Sequence, residues 1–321
     1  MDCSIAIATY NGEKYIAEQL ESIIGQSCKP DQIIISDDGS CDGTIDACTR
    51  VLQKSSIRYS ILRNENHGVA NNFYNAIRHC DGDIIFFCDQ DDVWLSSKVK
   101  IVLNFFTAHP SCCMVVSNAI IWNPERADNT SSLFDFFNIG NVIGEDGIAD
   151  SENLINKFIR HNFINGMCMA IRKSIVQFPD TNLHIYHDVW FTVIAIANGD
   201  IAFLSQPEAK YRQHADNTQG LKRNLKGLSA GKAVKGHKLA LQKELEKYEI
   251  ILSVDKNILS RSNFDLVQEK KKSILERIEA INNHNIIQLI KTDSEIPECE
   301  FKIKIINLFK DCVSAIQGGS L

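Results

Sequence analysis

The chain has 321 residues, 44% hydrophobic and 23% charged, a balance that fits a folded globular protein and excludes wholesale disorder. Its net charge of −6 conceals a division: 16 Lys and Arg stand against 27 Asp and Glu in residues 1–220, and 18 against 13 in residues 221–321. No apolar stretch reaches the roughly 18 uncharged residues of a membrane-spanning helix, and the N-terminus lacks a basic leader, so a cytoplasmic protein is expected.

In chain order, short apolar runs at Ser4–Ala8, Gln32–Ser36, Arg58–Leu62, Ile84–Cys88 and Met114–Ser117 predict strands. Amphipathic stretches such as Tyr15–Ile24 and Ala70–Arg78 alternate with them and predict helices. The alternation implies βαβ units: an α/β fold with a Rossmann-like, mostly parallel sheet flanked by helices. Residues 125–150 lack periodicity and read as a loop or flap. Residues 161–220 carry "FINGMCMAIRK", "YHDVWFTVIA" and "YRQHADNTQG". From 221 onward Gly, Pro and strong β-formers thin out and Lys/Glu/Leu/Ile-rich helical patterns take over. The expected division is therefore an α/β domain over 1–220 and a helical C-terminal region over 221–321. The eleven cysteines are scattered without a Cys-x-x-Cys pair, and Cys3, Cys88, Cys113 and Cys168 lie in apolar runs. Buried free thiols explain them better than disulfides or zinc.

Ligands of such sheets gather beyond the carboxyl ends of the strands. Three polar clusters fall there, "ATYNGEKY", "SDDGSCDGT" and "CDQDDVW", and are expected to share one rim. The last puts Asp89, Asp91 and Asp92 side by side, where like charges raise one another's pKa unless a cation or hydrogen-bond donors neutralise them. A D-x-D pair offers half a shell of oxygen ligands to Mg²⁺ or Mn²⁺, completed by substrate phosphates. A solvated acidic turn, or a cap for a helix starting near Ser96, is the other reading. Asp37 and Asp38 can hold a base or ribose edge, or simply form a turn. Thr9 offers a hydroxyl and Tyr10 a ring for stacking, in what is otherwise a strand-to-helix turn.

The ordered segments TYNGEKY, ISDDGS, NENHGVANNF, FCDQDDVWLSSK, NGMCMAIRK, HDVW and YRQH resemble the family 2 inverting glycosyltransferases with their GT-A fold, and most closely the bacterial rhamnosyltransferase-like branch of O-antigen and capsule assembly. The resemblance covers roughly residues 1–220. It implies that Thr9, Tyr10, Asp37 and Asp38 hold the nucleoside, with Asn72 as an additional donor. Asp89 then takes the ribose, and Asp89 and Asp91 take a Mg²⁺ or Mn²⁺ ion on the diphosphate. Asp188 matches the catalytic base, although His187 stands where the family usually has Glu. His214 completes the metal shell or is a structural histidine. Trp94, Asp92, Asn165 and Gly166 shape the sugar and acceptor pocket; for Trp94 a core position is the alternative. The implied partners are a nucleoside-diphosphate sugar and a glycan acceptor, lipid-linked by the branch's usual chemistry, with rhamnose, glucose or galactose as the sugar; nucleic acid is not expected.

The sequence has no P-loop, no GxGxxG after the first strand, no HExxH and no processive Q/R-x-x-R-W motif. A glycoside hydrolase would also need two carboxylates but no nucleotide pocket. A nucleotidyltransferase would show an early basic phosphate loop. A non-catalytic carbohydrate-binding module would tolerate loss of Asp188. Finally, "LKRNLKGLSAGKAVKGHKLALQK", residues 221–243, has seven Lys or Arg and no acid. It reads as a solvated helix face weakened by three glycines, or as a peripheral contact with an anionic membrane surface.

Overall fold

A computed structural model describes residues 1–125, 131–179, 185–214, 230–253 and 261–283. The chain divides into two compact units, Met1–Thr181 with Tyr186–Leu221, and Asn182–Ile185 with Lys222–Leu321.

The first unit begins with strict β/α alternation: β1 (Cys3–Thr9), α1 (Ile16–Ile24), β2 (Gln32–Asp37), α2 (Thr44–Leu52), β3 (Arg58–Arg63), α3 (Val69–Arg78) and β4 (Ile84–Asp89). There follow β5 (Val93–Trp94), α4 (Lys98–Ala108), β6 (Cys112–Trp122), α5 (Leu133–Phe136), α6 (Ser151–Arg160), β7 (Met169–Arg172), α7 (His187–Asn198) and β8 (Asp200–Arg212). All eight strands form one sheet in the order β3-β2-β1-β4-β7-β6-β8-β5. Strands β1 to β4 pair in parallel, β6 pairs in parallel with β8, and β7 and β5 run antiparallel to their neighbours. The mostly parallel α/β sheet flanked by helices is the architecture the alternation implies.

Parallel strands covered on both faces need continuous apolar runs, and β1, β2 and β4 are buried nearly throughout. The one polar residue inside β1, Ser4, is accommodated because its hydroxyl donates to Gln32 Oε1 at 2.6 Å and accepts from the Gly82 N–H at 2.9 Å. Gly82 itself lies so close to the Cys3–Ser4 backbone that a Cβ would sit 2.7 Å from it. Helix α1 buries Ile16, Leu20 and Ile23, one helical stripe.

The stretch expected to be a loop over 125–150 holds a short helix, α5, a turn at 145–147 and bridges from Ile120 to Ser132 and from Ile148 to Ala202; residues 126–130 lie outside the described ones. In the second unit α8 (Ala230–Ser253) and α9 (Arg261–Asn282) are long helices that pack together. Leu241, Leu245, Tyr248, Val267 and Ile281 are buried there. Helix α8 runs through Gly231 and Gly236, so these glycines do not break it. Most of the basic segment 221–243 lies outside the described side chains. Among the described residues no helix is long and apolar enough to cross a membrane.

Candidate active site

Strand register sets the rim. Thr9 pairs with Asp37 across β1–β2, and Ala8 pairs with Asp89 across β1–β4. The polar ends of three strands therefore lie level, as expected from their position after apolar runs.

On this rim Thr9 and Asp37 serve each other. The buried Asp37 carboxylate accepts from Thr9 Oγ1 at 2.8 Å, from Ser40 Oγ at 2.6 Å and from the N–H groups of Gly39 and Ser40. It thereby shapes the loop that leads to α2. Asp38 is held by Asn64 Nδ2 at 2.7 Å and the Gly68 N–H at 2.8 Å, with His67 at 3.3 Å; its side chain keeps 15% exposure. The Tyr10 ring is 55% exposed. The backbone beneath it is fastened by Gln90, whose carboxamide accepts from the Tyr10 N–H and donates to the Tyr10 carbonyl. The middle residue of the D-Q-D tripeptide thus locks the first rim loop to the third.

The three neighbouring carboxylates have different fates. Asp89, at the end of β4, is pushed up to about 7 by burial, then by the charges of Asp91 and Asp188. Asp91 Oδ2 lies 2.8 Å from His214 Nε2, both side chains nearly buried. Asp92 is fully buried; one oxygen accepts the Arg212 N–H at 2.9 Å, and the other is buried without a partner. Burial, then Asp91 and Asp89, raises its pKa. Asp92 consequently does not line a sugar or acceptor pocket, because the β5–β8 pairing turns it inward. Trp94 is also corrected to a core position: it is 3% exposed, packs on Phe86, and carries the Lys98 ammonium 4.3 Å over its ring. Asn72 is 2% exposed and donates to the Thr9 carbonyl at 3.0 Å. It ties α3 to the end of β1 instead of facing outward as a nucleoside donor.

Asp188 lies in the first turn of α7, after the capping position at Tyr186. Asn162 Nδ2 donates to its Oδ2 at 2.9 Å and the Val189 N–H to its Oδ1 at 2.8 Å. These donors fix the carboxylate's orientation. The adjacent His187 is buried between Phe73, with ring centroids 3.9 Å apart, and Phe87 at 5.8 Å. Neither ring nitrogen has a partner, and burial lowers its pKa to about 3. A neutral imidazole at 187 therefore acts as packing. Gly166 makes room for it: a Cβ there would fall 2.4 Å from His187 Nε2. The Asn165 side chain accepts from the Met167 N–H and caps this turn. Asn165 and Gly166 thus belong to the wall around His187.

Four residues escaped the sequence reading. Gln90 is one, and Asn162, which holds Asp188, is another. Lys98, 1% exposed, donates to the Met167 carbonyl at 2.9 Å; burial lowers its pKa. Arg212 meets Asp91, Asp92 and Glu18. A basic residue in "YRQH" and another in "WLSSK" were the available signals.

The profile of Glycosyl transferase family 2 matches residues 4–178. The dTDP-rhamnosyl transferase RfbG of Shigella flexneri is 32% identical over 229 residues, which cover 67% of this chain and 73% of that protein. The structure of S. aureus TarS 1-349 in complex with UDP-GlcNAc matches with a TM-score of 0.55 at 19% identity, covering 99% of this chain and 89% of that one. Mannosyltransferase PcManGT from Pyrobaculum calidifontis, in complex with GDP-Man and Mn²⁺, matches with a TM-score of 0.54 at 16% identity, over 98% of this chain and 86% of that one. At such identities the structural likeness speaks for the fold alone.

Proposed function

Because the chain belongs to glycosyl transferase family 2, we propose that it moves one sugar, with inversion at the anomeric carbon, from a nucleoside-diphosphate sugar to a hydroxyl of a glycan acceptor. The observation that carries this reading is the gathering of Asp89, Asp91 and Asp188 closely enough for the latter two to raise the pKa of the first. Asp89 at the end of a parallel strand, with the like charges of Asp91 just beyond it and of Asp188 in the first turn of α7 bearing on it, suits a site built for a cation and a diphosphate.

The donor set fits a hard divalent ion. Asp91 and His214 stand together at 2.8 Å, and among the described residues no three His, Cys, Asp or Glu side chains are placed to hold a metal ion by themselves. Such a half-shell leaves positions for water and substrate phosphates, the usual manner of holding Mg²⁺. Asp91 and His214, with Asp89 beside them, would hold Mg²⁺ or Mn²⁺, which when bound offsets charge on the departing nucleoside diphosphate. Tyr10 offers its exposed ring to the base, and Asp38 offers an acceptor to the base edge. Asp188, oriented by Asn162 and the Val189 N–H, takes the proton of the acceptor hydroxyl as that oxygen attacks from the face opposite the leaving group.

The sugar we favour is rhamnose, on the similarity to the dTDP-rhamnosyl transferase; glucose and galactose come next. The acceptor we favour is a lipid-linked glycan of O-antigen or capsule assembly, reached at the cytoplasmic face of the membrane with help from the basic residues of 221–243. The test is a panel of dTDP-rhamnose, UDP-glucose and UDP-galactose with Mg²⁺ or Mn²⁺, reading nucleotide release. Release from one donor, abolished by excess chelator, is expected. Undiminished release in chelator rejects the metal assignment, and release from none of the panel rejects the choice of donor.

A further inference from the structure

Arg212 closes β8 and is 5% exposed, yet nothing in the proposed chemistry uses it. Its backbone N–H donates to Asp92 Oδ1 at 2.9 Å, and its Nε donates to the Asp91 carbonyl at 2.7 Å. One terminal nitrogen donates to the Glu18 carboxylate on α1. The guanidinium lies over Trp122 at 4.3 Å and Tyr15 at 5.1 Å. Two residues on, the His214 imidazole stacks on the opposite partner in this group, the Tyr15 ring, at 4.5 Å, and meets Asp91 Oδ2 at 2.8 Å.

We propose that Arg212 is a positioning residue that preassembles the Asp91–His214 pair, so that a divalent cation meets two ligands already brought together. This rests on the metal role proposed above for that pair. Arg212 holds the backbone of the acidic turn from one side while its own strand end delivers His214 from the other. Glu18 and Tyr15, both at the start of α1, fix the guanidinium and the imidazole respectively. The ligands come from segments more than 120 residues apart, and Arg212, on the segment of His214, touches both the acidic turn and α1. Only a planar fork can donate through Nε to the Asp91 carbonyl and through a terminal nitrogen to Glu18 at once; a lysine supplies the charge without the fork.

The experiment titrates Mn²⁺ alone into the full chain, following free Mn²⁺ by electron paramagnetic resonance, for wild type, Asp91→Ala, Arg212→Lys and Glu18→Gln, with melting midpoints recorded in parallel. Residues that orient metal ligands typically change affinity by about 10- to 100-fold when replaced, so Arg212→Lys should weaken Mn²⁺ binding by at least about tenfold. Turnover at saturating Mn²⁺ should recover to within about threefold of wild type, which a general structural lesion would not allow. Glu18 is about half exposed, so Glu18→Gln carries the test should Arg212→Lys fail to fold, with an expected loss of about two- to fivefold. Equal Mn²⁺ uptake by wild type and Asp91→Ala, or none by wild type, removes the metal reading and this proposal together. Loss in Asp91→Ala with wild-type affinity in Arg212→Lys, or in a folded Glu18→Gln standing in for it, removes this proposal alone.

Discussion

His187 is the group through which acid should unfold this protein. Its imidazole is 6% exposed, stacked on Phe73, without a partner for either nitrogen, and its pKa falls from the ordinary 6.5 to about 3. A histidine with a depressed folded pKa favours the fold above its unfolded pKa, and that contribution is lost as pH falls from 6.5 toward 3. At 1.36 kcal/mol per pKa unit the whole loss is about 5 kcal/mol, and between pH 7.5 and pH 5 it is about 2 kcal/mol. His187→Leu removes the titration while keeping an apolar side chain of similar size. At pH 7.5 the variant should be close to wild type. It loses an aromatic stack of about 0.5–1.5 kcal/mol, offset by removal of two unpaired polar atoms costing about 1–3 kcal/mol each. Asp89, pushed up to about 7, works in the opposite direction: its contribution is present in acid and lost as pH rises through 7. Because Asp89 owes its shift to burial, Asp91 and Asp188, that trend cancels in the difference between wild type and variant. Urea midpoints at pH 7.5 and pH 5 supply the measurement. Wild type should lose about 2 kcal/mol relative to His187→Leu on going to pH 5; a difference that stays constant refutes the assignment of His187 as a buried neutral ring.

Asp188→Asn should lower turnover by about 10²- to 10⁴-fold with donor affinity by calorimetry within about threefold of wild type; loss of donor binding along with turnover would place the base elsewhere. Gly166→Ala drives a Cβ toward His187 Nε2 and should cost about 1–3 kcal/mol, most of it recovered in the double variant with His187→Ala; additive losses would mean the two do not compete for space. The basic residues of 221–243 should give salt-sensitive sedimentation with anionic liposomes, at about 1 kcal/mol per engaged Lys or Arg; equal partitioning onto neutral and anionic lipid, or none, counts against it.

The first half of the sheet was readable because it is made of runs such as "SIAIA" and "DIIFFC" that a doubly covered parallel strand requires, each ending in the polar cluster that became the rim. In the second half the run Met114–Ser117 marked β6 alone, and the other strands were hidden. β7 is four residues inside a motif read for its chemistry, and β8 contains Pro207, ordinarily a mark against a strand. Pro207 is tolerated because it sits opposite Asn118, where the β6–β8 register shifts. The same division runs through the site. That Asp89, Asp91 and Asp92 stand at a strand end is local information, and the sequence carries it. Which of them stays at the rim is decided elsewhere. Two residues of β5 pair with Ala209 and Lys210, and that pairing brings the Arg212 N–H onto Asp92 and His214 onto Asp91. Adjacent carboxylates are thereby separated into one that holds the turn from inside and one that meets an imidazole at the rim. No reading of residues 83–94 by themselves can make that separation, because the groups that impose it lie some 120 positions further along the chain.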